Sequence, residues 1–357
     1  MRFTRFALLG AGLAALAACD SAPTAPAGGE SAAASGPALK IVGSSTVYPF
    51  TTAVAESFKN KNPGVPAPVV ESTGTGGGIK LFCGGVGLEH PDIANASRRI
   101  KKSEVELCNA NGVKQIVEVQ VGLDGIALAQ AKADAAMDLT PAQVFLALAA
   151  TKPDGAPNTA KMWNEIDPKL PARKIEVLGP PPTSGTRDAF NELVMEAGCA
   201  TFPALKALKD SNEDEYKTRC TKLREDGAYV EAGENDNLIV QKLVANPTAI
   251  GVFGYSYLEE NLDKIAGVKL SGVAPEYAAI ADGSYPASRP LYVYVKGEHA
   301  AAKPSLKTFL AEYASDAAWG PNGYLKARGL IAAPDEVRAA AQAAATNLTT
   351  MDASTLK

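Results

Sequence analysis

Three times along this chain a short apolar stretch of strand formers runs into a loop of hydroxyl and glycine residues that opens a helix, and this repeated junction constrains the fold more than any other feature. Leu39 to Val42 leads through Gly43-Ser44-Ser45-Thr46 into a helical pattern that runs from Val47-Tyr48-Pro49-Phe50 to Phe58. Val69 to Glu71 leads through Ser72-Thr73-Gly74-Thr75-Gly76-Gly77-Gly78 into Ile79-Lys80-Leu81-Phe82. Ile175 to Leu178 leads through Gly179, a run of prolines and Thr183-Ser184-Gly185-Thr186-Arg187-Asp188 into a helix from Ala189 to Glu196. Strands that end in loops opening helices make the chain an α/β protein.

The first amides of a helix have no intrahelical partner and carry a partial positive charge, so they receive an anion without a full cationic pocket. Hydroxyls from Ser44, Ser45, Thr46, Thr75, Ser184 and Thr186 stand at those starts. A compact ligand with many acceptor oxygens suits converging hydroxyls and amides, and phosphate has that shape. Burying it costs free energy unless each oxygen is hydrogen-bonded, and the loops carry the donors. A nucleotide is not expected: no GxxxxGK[ST] can be written here, and GxGxxG fails at Ile79. A fourth segment, Asp92 to Ile100, has a buried-strand pattern that ends in Ser97, Arg98 and Arg99. Arg98, beside Ser97, is expected to grip the anion bidentately, whereas Arg99 reads as part of a solvated patch with Lys101 and Lys102.

Residues 1–18 hold Arg2 and Arg5, an apolar run from Phe6 to Ala18 and a small-residue approach to Cys19, the pattern of a secretory signal too short to span a bilayer. Leu16-Ala17-Ala18-Cys19 resembles the bacterial lipobox, which implies cleavage before Cys19, lipidation of its sulfur and anchoring in the envelope; Asp20 resembles an inner-membrane retention signal. Residues 19–38 are Ala, Pro, Gly and Ser with almost no large apolar side chain, a flexible tether. The remainder exceeds a comfortable single core and suggests two lobes with a cleft. The net charge of −4 makes nucleic acid an unlikely partner. Beyond Cys19 the cysteines form two local pairs, Cys83 with Cys108 and Cys199 with Cys220. Spacing leaves other connectivities open, but in an oxidising envelope pairing neighbours closes the smallest loops. No metal site is expected, because no CxxC occurs and His90 and His299 lie far apart.

The pattern resembles the periplasmic phosphate-binding proteins of ABC transporters. The resemblance is carried by Gly43-Ser44-Ser45-Thr46-Val47-Tyr48-Pro49, Gly74-Thr75-Gly76-Gly77-Gly78-Ile79-Lys80, Ala96-Ser97-Arg98, Ser184-Gly185-Thr186, Ala249-Ile250-Gly251-Val252-Phe253-Gly254-Tyr255 and Tyr285-Pro286-Ala287-Ser288-Arg289-Pro290-Leu291-Tyr292. It implies a type II periplasmic binding fold: two α/β lobes joined by two crossing strands, here near Leu123 to Ala129 and Ile250 to Tyr255, with the ligand between them. Lobe 1 is then 39–127 plus 250–357, and lobe 2 is 128–249. The resemblance implies anion contacts from Thr46, Val47 and Tyr48, from Thr75, from Ser97, and from Ser184, Gly185 and Thr186, and the Ser45 hydroxyl is expected to join them. It also implies a monomeric periplasmic receptor without cofactor, serving an inner-membrane ABC permease.

Two positions depart from the family pattern. Its best-known branch has an aspartate directly after the Ser of Ala-Ser, where this chain has Arg98, and an arginine four residues before Ser-Gly-Thr, where it has Pro180. Arg98 and Arg187 are expected to supply the arginine, and Asp124 a replacement carboxylate that accepts the proton of hydrogen phosphate and repels sulfate, with Asp236 a weaker candidate. Other readings keep the fold and change the ligand to sulfate, molybdate or a phosphonate, or make the protein an envelope sensor. Catalysis is not expected: Ser184 lacks a histidine base and a GxSxG elbow, and no Asp and His cluster suits a metal phosphatase.

Overall fold

The computed structural model describes residues 36–356 except 135, 183, 234 and 235, and leaves the side chain of Asp236 undescribed. The signal segment, the lipidation candidate Cys19, nearly all of the tether and the candidate carboxylate of Asp236 therefore lie outside the described residues. Strands form at β1 Lys40–Gly43, β2 Val69–Ser72, β3 Ile93–Ala96, β4 Ile116–Ala131, β5 Asp138–Leu139, β6 Val177–Gly179, β7 Tyr229–Glu231, β8 Ile250–Gly254, β9 Ile265–Gly267, β10 Lys269–Leu270 and β11 Ser288–Lys296. One sheet runs in the order β2-β1-β3-β11-β4-β8-β6-β7, with β9 also on β4, and β10 pairs with β5 apart from it. The helices that matter for the cleft begin with α1 Tyr48–Lys61, α2 Thr75–Phe82 and α3 Lys102–Ala110.

The long strand β4 belongs to two cores. Val117, Val119 and Val121 alternate into one that also holds Ile41, Phe50, Val54, Phe58, Val293, Phe309 and Trp319. Ile126 to Ala129 enter a second, with Phe145, Trp163, Val177, Phe190, Val252 and Phe253. Between them the register of β4 against β11 shifts at Leu291/Tyr292, an irregularity of the kind that bends a strand. Both tryptophans are core residues, as their distance from the loop motifs suggests.

The crossing at Leu123 to Ala129 is present as β4. The expected crossing at Ile250 to Tyr255 is not the second connection: β8 pairs with β4 at Ile126 to Gln130 and with β6, and Ile250, Ile265, Tyr285 and Ala287 all pack in the second core. The strand that returns is β11, which leaves that core at Ala287 and enters the first at Leu291 while running antiparallel to β4. We therefore place the return to lobe 1 at about Ser288 rather than residue 250. The apolar alternation of β8 suits either place, and only strand pairing separates them. The C-terminal helix Asp335–Asn347 buries Ala341 and Ala345 in the first core.

Both local cysteine pairs are bonded, with Cα atoms 4.2 Å apart for Cys83–Cys108 and 5.4 Å apart for Cys199–Cys220. The first ties the end of α2 to α3, and the second ties helix Glu196–Cys199 to helix Glu213–Thr221. Each closes a loop of about 20–25 residues, for which chain entropy gives roughly 3 kcal/mol. Replacing Cys199 and Cys220 together by serine is expected to lower the chemical-denaturation free energy by about that amount, and an unchanged denaturation curve would contradict it. No described helix is long and apolar enough to cross a membrane.

Candidate anion-binding cleft

Parallel pairing brings the loops of lobe 1 to one edge. Gly43 at the end of β1 lies opposite Ser72 of β2 and Asn95 of β3, so the segments after all three strands leave the sheet together. Two glycines allow this. A methyl on Gly43 (φ +132°) would fall 2.2 Å from the Asn95 carbonyl oxygen, and one on Gly78 would fall 2.3 Å from the Gly43 Cα, so α2 rests directly on the end of β1. Ser44 then closes the turn into α1: its carbonyl accepts from the Tyr48 amide at 3.0 Å and its hydroxyl from the Val47 amide at 3.4 Å. The Thr75 and Ser97 hydroxyls meet at 3.0 Å, and Thr75 Oγ1 accepts the Ser97 amide at 3.1 Å, so these two expected contact residues form one polar unit.

Lobe 2 presents the start of helix Gly185–Phe190, where the Ser184 hydroxyl caps the helix by accepting the Thr186 amide at 3.2 Å. Its neighbour is the first loop: a methyl on Gly185 would stand 3.7 Å from the Ser45 carbonyl oxygen, and the Ser45 side chain is close enough to lower the Asp188 carboxyl against the rise that burial causes. Ser45, Thr46, Ser184, Gly185 and Thr186 are thus brought to one place. Val47 is wholly buried in the lobe 1 core, so it reaches the site only through its backbone. The Tyr48 ring is half exposed and lines a groove outside α1 with Thr52, Glu56 and Lys59.

The arginines fall differently from the sequence expectation. Arg98 donates to both carboxylate oxygens of Glu104, at 2.9 and 2.6 Å, and to the Arg99 carbonyl, so its fork faces the start of α3. Arg99 is not loose in solvent but clamps Glu118 at 2.8–3.1 Å. Arg187 is buried with its guanidinium 4.3 Å from the centre of the Tyr229 ring and donates to the Pro180 carbonyl. The guanidinium that reaches the first loop is that of Arg289 of β11. Its Nη2 donates to Thr46 Oγ1 at 3.0 Å, its Nη1 touches Glu192, and its Nε lies 3.4 Å from Asp124 Oδ2. Register explains the last contact, because Arg289 stands opposite Asp124 across the β4–β11 ladder.

Asp124, expected as the carboxylate that takes the proton of hydrogen phosphate, stands as the partner of Arg289. Burial pushes its carboxyl above the ordinary aspartate value, against the pull of the Arg289 charge. Burial likewise raises Asp188, with the Ser45 hydrogen bond opposing and Glu192 adding to the rise. The sequence reading missed Arg289, Asp188 and Glu192. Arg289 lay inside a quoted segment, Ser288-Arg289-Pro290, which echoes Ser97-Arg98, and Asp188 stands in the same helix start as Ser184; those were the available signals.

Residues 21–317 match the family model of the PBP superfamily domain. The protein SphX of Synechococcus elongatus is 33% identical over 77% of this chain and 72% of its own length. The phosphate-binding protein PstS of Staphylococcus saprophyticus is 32% identical over 72% of this chain and 69% of its own. Among solved structures, a possible phosphate binding protein from Planctomyces limnophilus superposes with a TM-score of 0.71 at 29% identity, over 88% of this chain and 99% of that one.

Proposed function

Because the chain belongs to the PBP superfamily, we propose that, outside the cytoplasmic membrane, it captures inorganic phosphate in the interlobe cleft and delivers it to an ABC permease in that membrane. The observation that carries this reading is the position of Arg289, which reaches Thr46 of the first loop while that loop meets the Ser184-Gly185-Thr186 helix start from the other lobe. A tetrahedral oxyanion placed there would receive hydroxyls from Ser45 and Thr46, amides from two helix starts and a guanidinium, with the Thr75–Ser97 pair on the same edge. The relatives named for phosphate support the same ligand. The two lobes closing on the ligand would present the permease with a surface distinct from the open form. The anchoring of Cys19 belongs to this proposal, as does the monomeric state. Binding rather than catalysis is its content.

Selectivity follows from the carboxylates. Asp188 and Asp124 stand beside the hydroxyls and the guanidinium, and an ionised carboxylate accepts the remaining proton of hydrogen phosphate but repels an oxygen of sulfate, which has no proton to offer. Calorimetric titration of the anion-stripped protein at neutral pH is expected to show phosphate binding with sulfate ignored. As pH falls toward the raised carboxyl values of Asp124 and Asp188, these groups become neutral donors and the rejection of sulfate is expected to relax. Equal binding of both anions at neutral pH would overturn the phosphate reading.

A further inference from the structure

Glu192 stands one turn beyond Asp188, in the π-helical turn Asn191–Met195 that continues helix Gly185–Phe190. Its carboxylate touches Arg289 Nη1, so a residue of lobe 2 holds a guanidinium based on the returning strand β11. We propose that Glu192 is a built-in competitor for the anion, which must displace it from Arg289 in order to bind. This rests on the phosphate reading above.

The geometry separates Glu192 from the other groups on that guanidinium. Asp124 is fixed on β4 opposite Arg289 with its side chain 13% exposed, and the Arg289 side chain is 11% exposed, whereas that of Glu192 is 48% exposed. Asp124 therefore has little room to leave, and Glu192 has water to turn into. A bidentate grip on an oxyanion uses two donors on one edge of the guanidinium. The edge formed by Nη1 and Nη2 is held by Glu192 and by the Thr46 hydroxyl. The hydroxyl is itself a donor and can rotate toward an anion. The carboxylate cannot, so its contact is the one an anion has to break. Its charge also acts on the surroundings: burial is the main cause that raises the carboxyls of Asp124, Asp188 and Glu196, repulsion from Glu192 adds to it, and a phosphate dianion would meet the same repulsion.

Removing the charge while keeping the shape should therefore tighten binding. Equilibrium dialysis with labelled phosphate, at neutral pH and constant ionic strength, is read for the wild type, Glu192→Gln, Arg289→Gln and the double variant. Glu192→Gln is expected to bind about tenfold tighter, and the gain to shrink to about twofold or less when Arg289 is already Gln, because release of the guanidinium is then worth nothing. Unchanged or weaker binding by Glu192→Gln would mean that the carboxylate positions Arg289 for the anion, and would overturn the proposal. So would an undiminished gain in the Arg289→Gln background, which would assign the effect to the general field. If neither the folded wild type nor folded Glu192→Gln holds phosphate, the phosphate reading fails and the competitor falls with it.

Discussion

Replacing Arg289 by glutamine is expected to weaken phosphate binding about 100-fold while the protein stays folded. Arg289 brings the cleft a fixed positive charge and paired donors, and charge-assisted hydrogen bonds contribute roughly 1.5–3 kcal/mol each. Losing about 3 kcal/mol corresponds to about two decades in dissociation constant. Glutamine keeps a donor for Thr46 but leaves Asp124 without the cation opposite it, so the Asp124 carboxyl should rise further and be protonated more readily. The control is Arg98→Gln. Its guanidinium is bound to Glu104 at 2.6 and 2.9 Å, and its loss should cost the start of α3 some stability but change affinity less than about threefold. Calorimetry on both variants decides between the arginine adjacent in sequence to Ser97 and the one that reaches the cleft. A large loss in Arg98→Gln with little change in Arg289→Gln would restore the sequence expectation.

That contrast marks where sequence reasoning reached its limit. The three junctions, the buried strand ending at Ser97, the crossing at Leu123 to Ala129 and both cysteine pairs were legible because each depends on residues close in the chain: a periodic pattern, a loop composition or a short closure. Arg289 was not, because its place depends on β11 lying against β4 in one register, which sets it opposite Asp124, more than 160 residues earlier in the chain. The return to lobe 1 depends on pairing in the same way. Ile250 to Gly254 reads as a buried strand wherever it pairs, and only its partners, β4 and β6, put it in the second core. Arg98 shows the converse error. Its neighbour Ser97 made it look like a ligand, while Glu104, the third residue of α3, was close enough in sequence to take the guanidinium, and the capping contact from the same carboxylate to the Lys101 amide fixes it there.

Stability is expected to depend most on a charge far from the cleft edge of β3. Asp92, just before that strand, is fully buried and accepts from the Lys40 amide at 2.7 Å and from Lys303 Nζ at 2.8 Å, and it stands 2.6 Å from His299 Nδ1. Lys303, itself fully buried, also donates to the Ala38 carbonyl, so the cluster pins the first described residues to β3 and to the turn before helix Ser305–Tyr313. Burial alone would raise the Asp92 carboxyl, but the hydrogen bonds from His299, Lys303 and the Lys40 amide outweigh it and hold the carboxyl below the ordinary 3.8. A depressed carboxyl contributes stability that is fully present above that ordinary value and is lost as pH falls through the folded one. Asp92→Asn removes the charge and leaves the Lys303 ammonium buried without a counter-ion, a change that costs about 3–5 kcal/mol. At neutral pH this corresponds to a fall of roughly 5–10 °C in melting temperature. The variant should also lose the part of the acid-induced drop that Asp92 contributes, so the two melting curves converge as pH is lowered past the ordinary aspartate range. Because Asp92 sits at the opposite end of β3 from Ser97, the folded variant should bind phosphate with wild-type affinity, the reverse of the Arg289→Gln outcome. A neutral-pH melting temperature within about 2 °C of wild type would mean that the buried ammonium is accommodated without Asp92 at little cost, and that the cluster does not hold the fold.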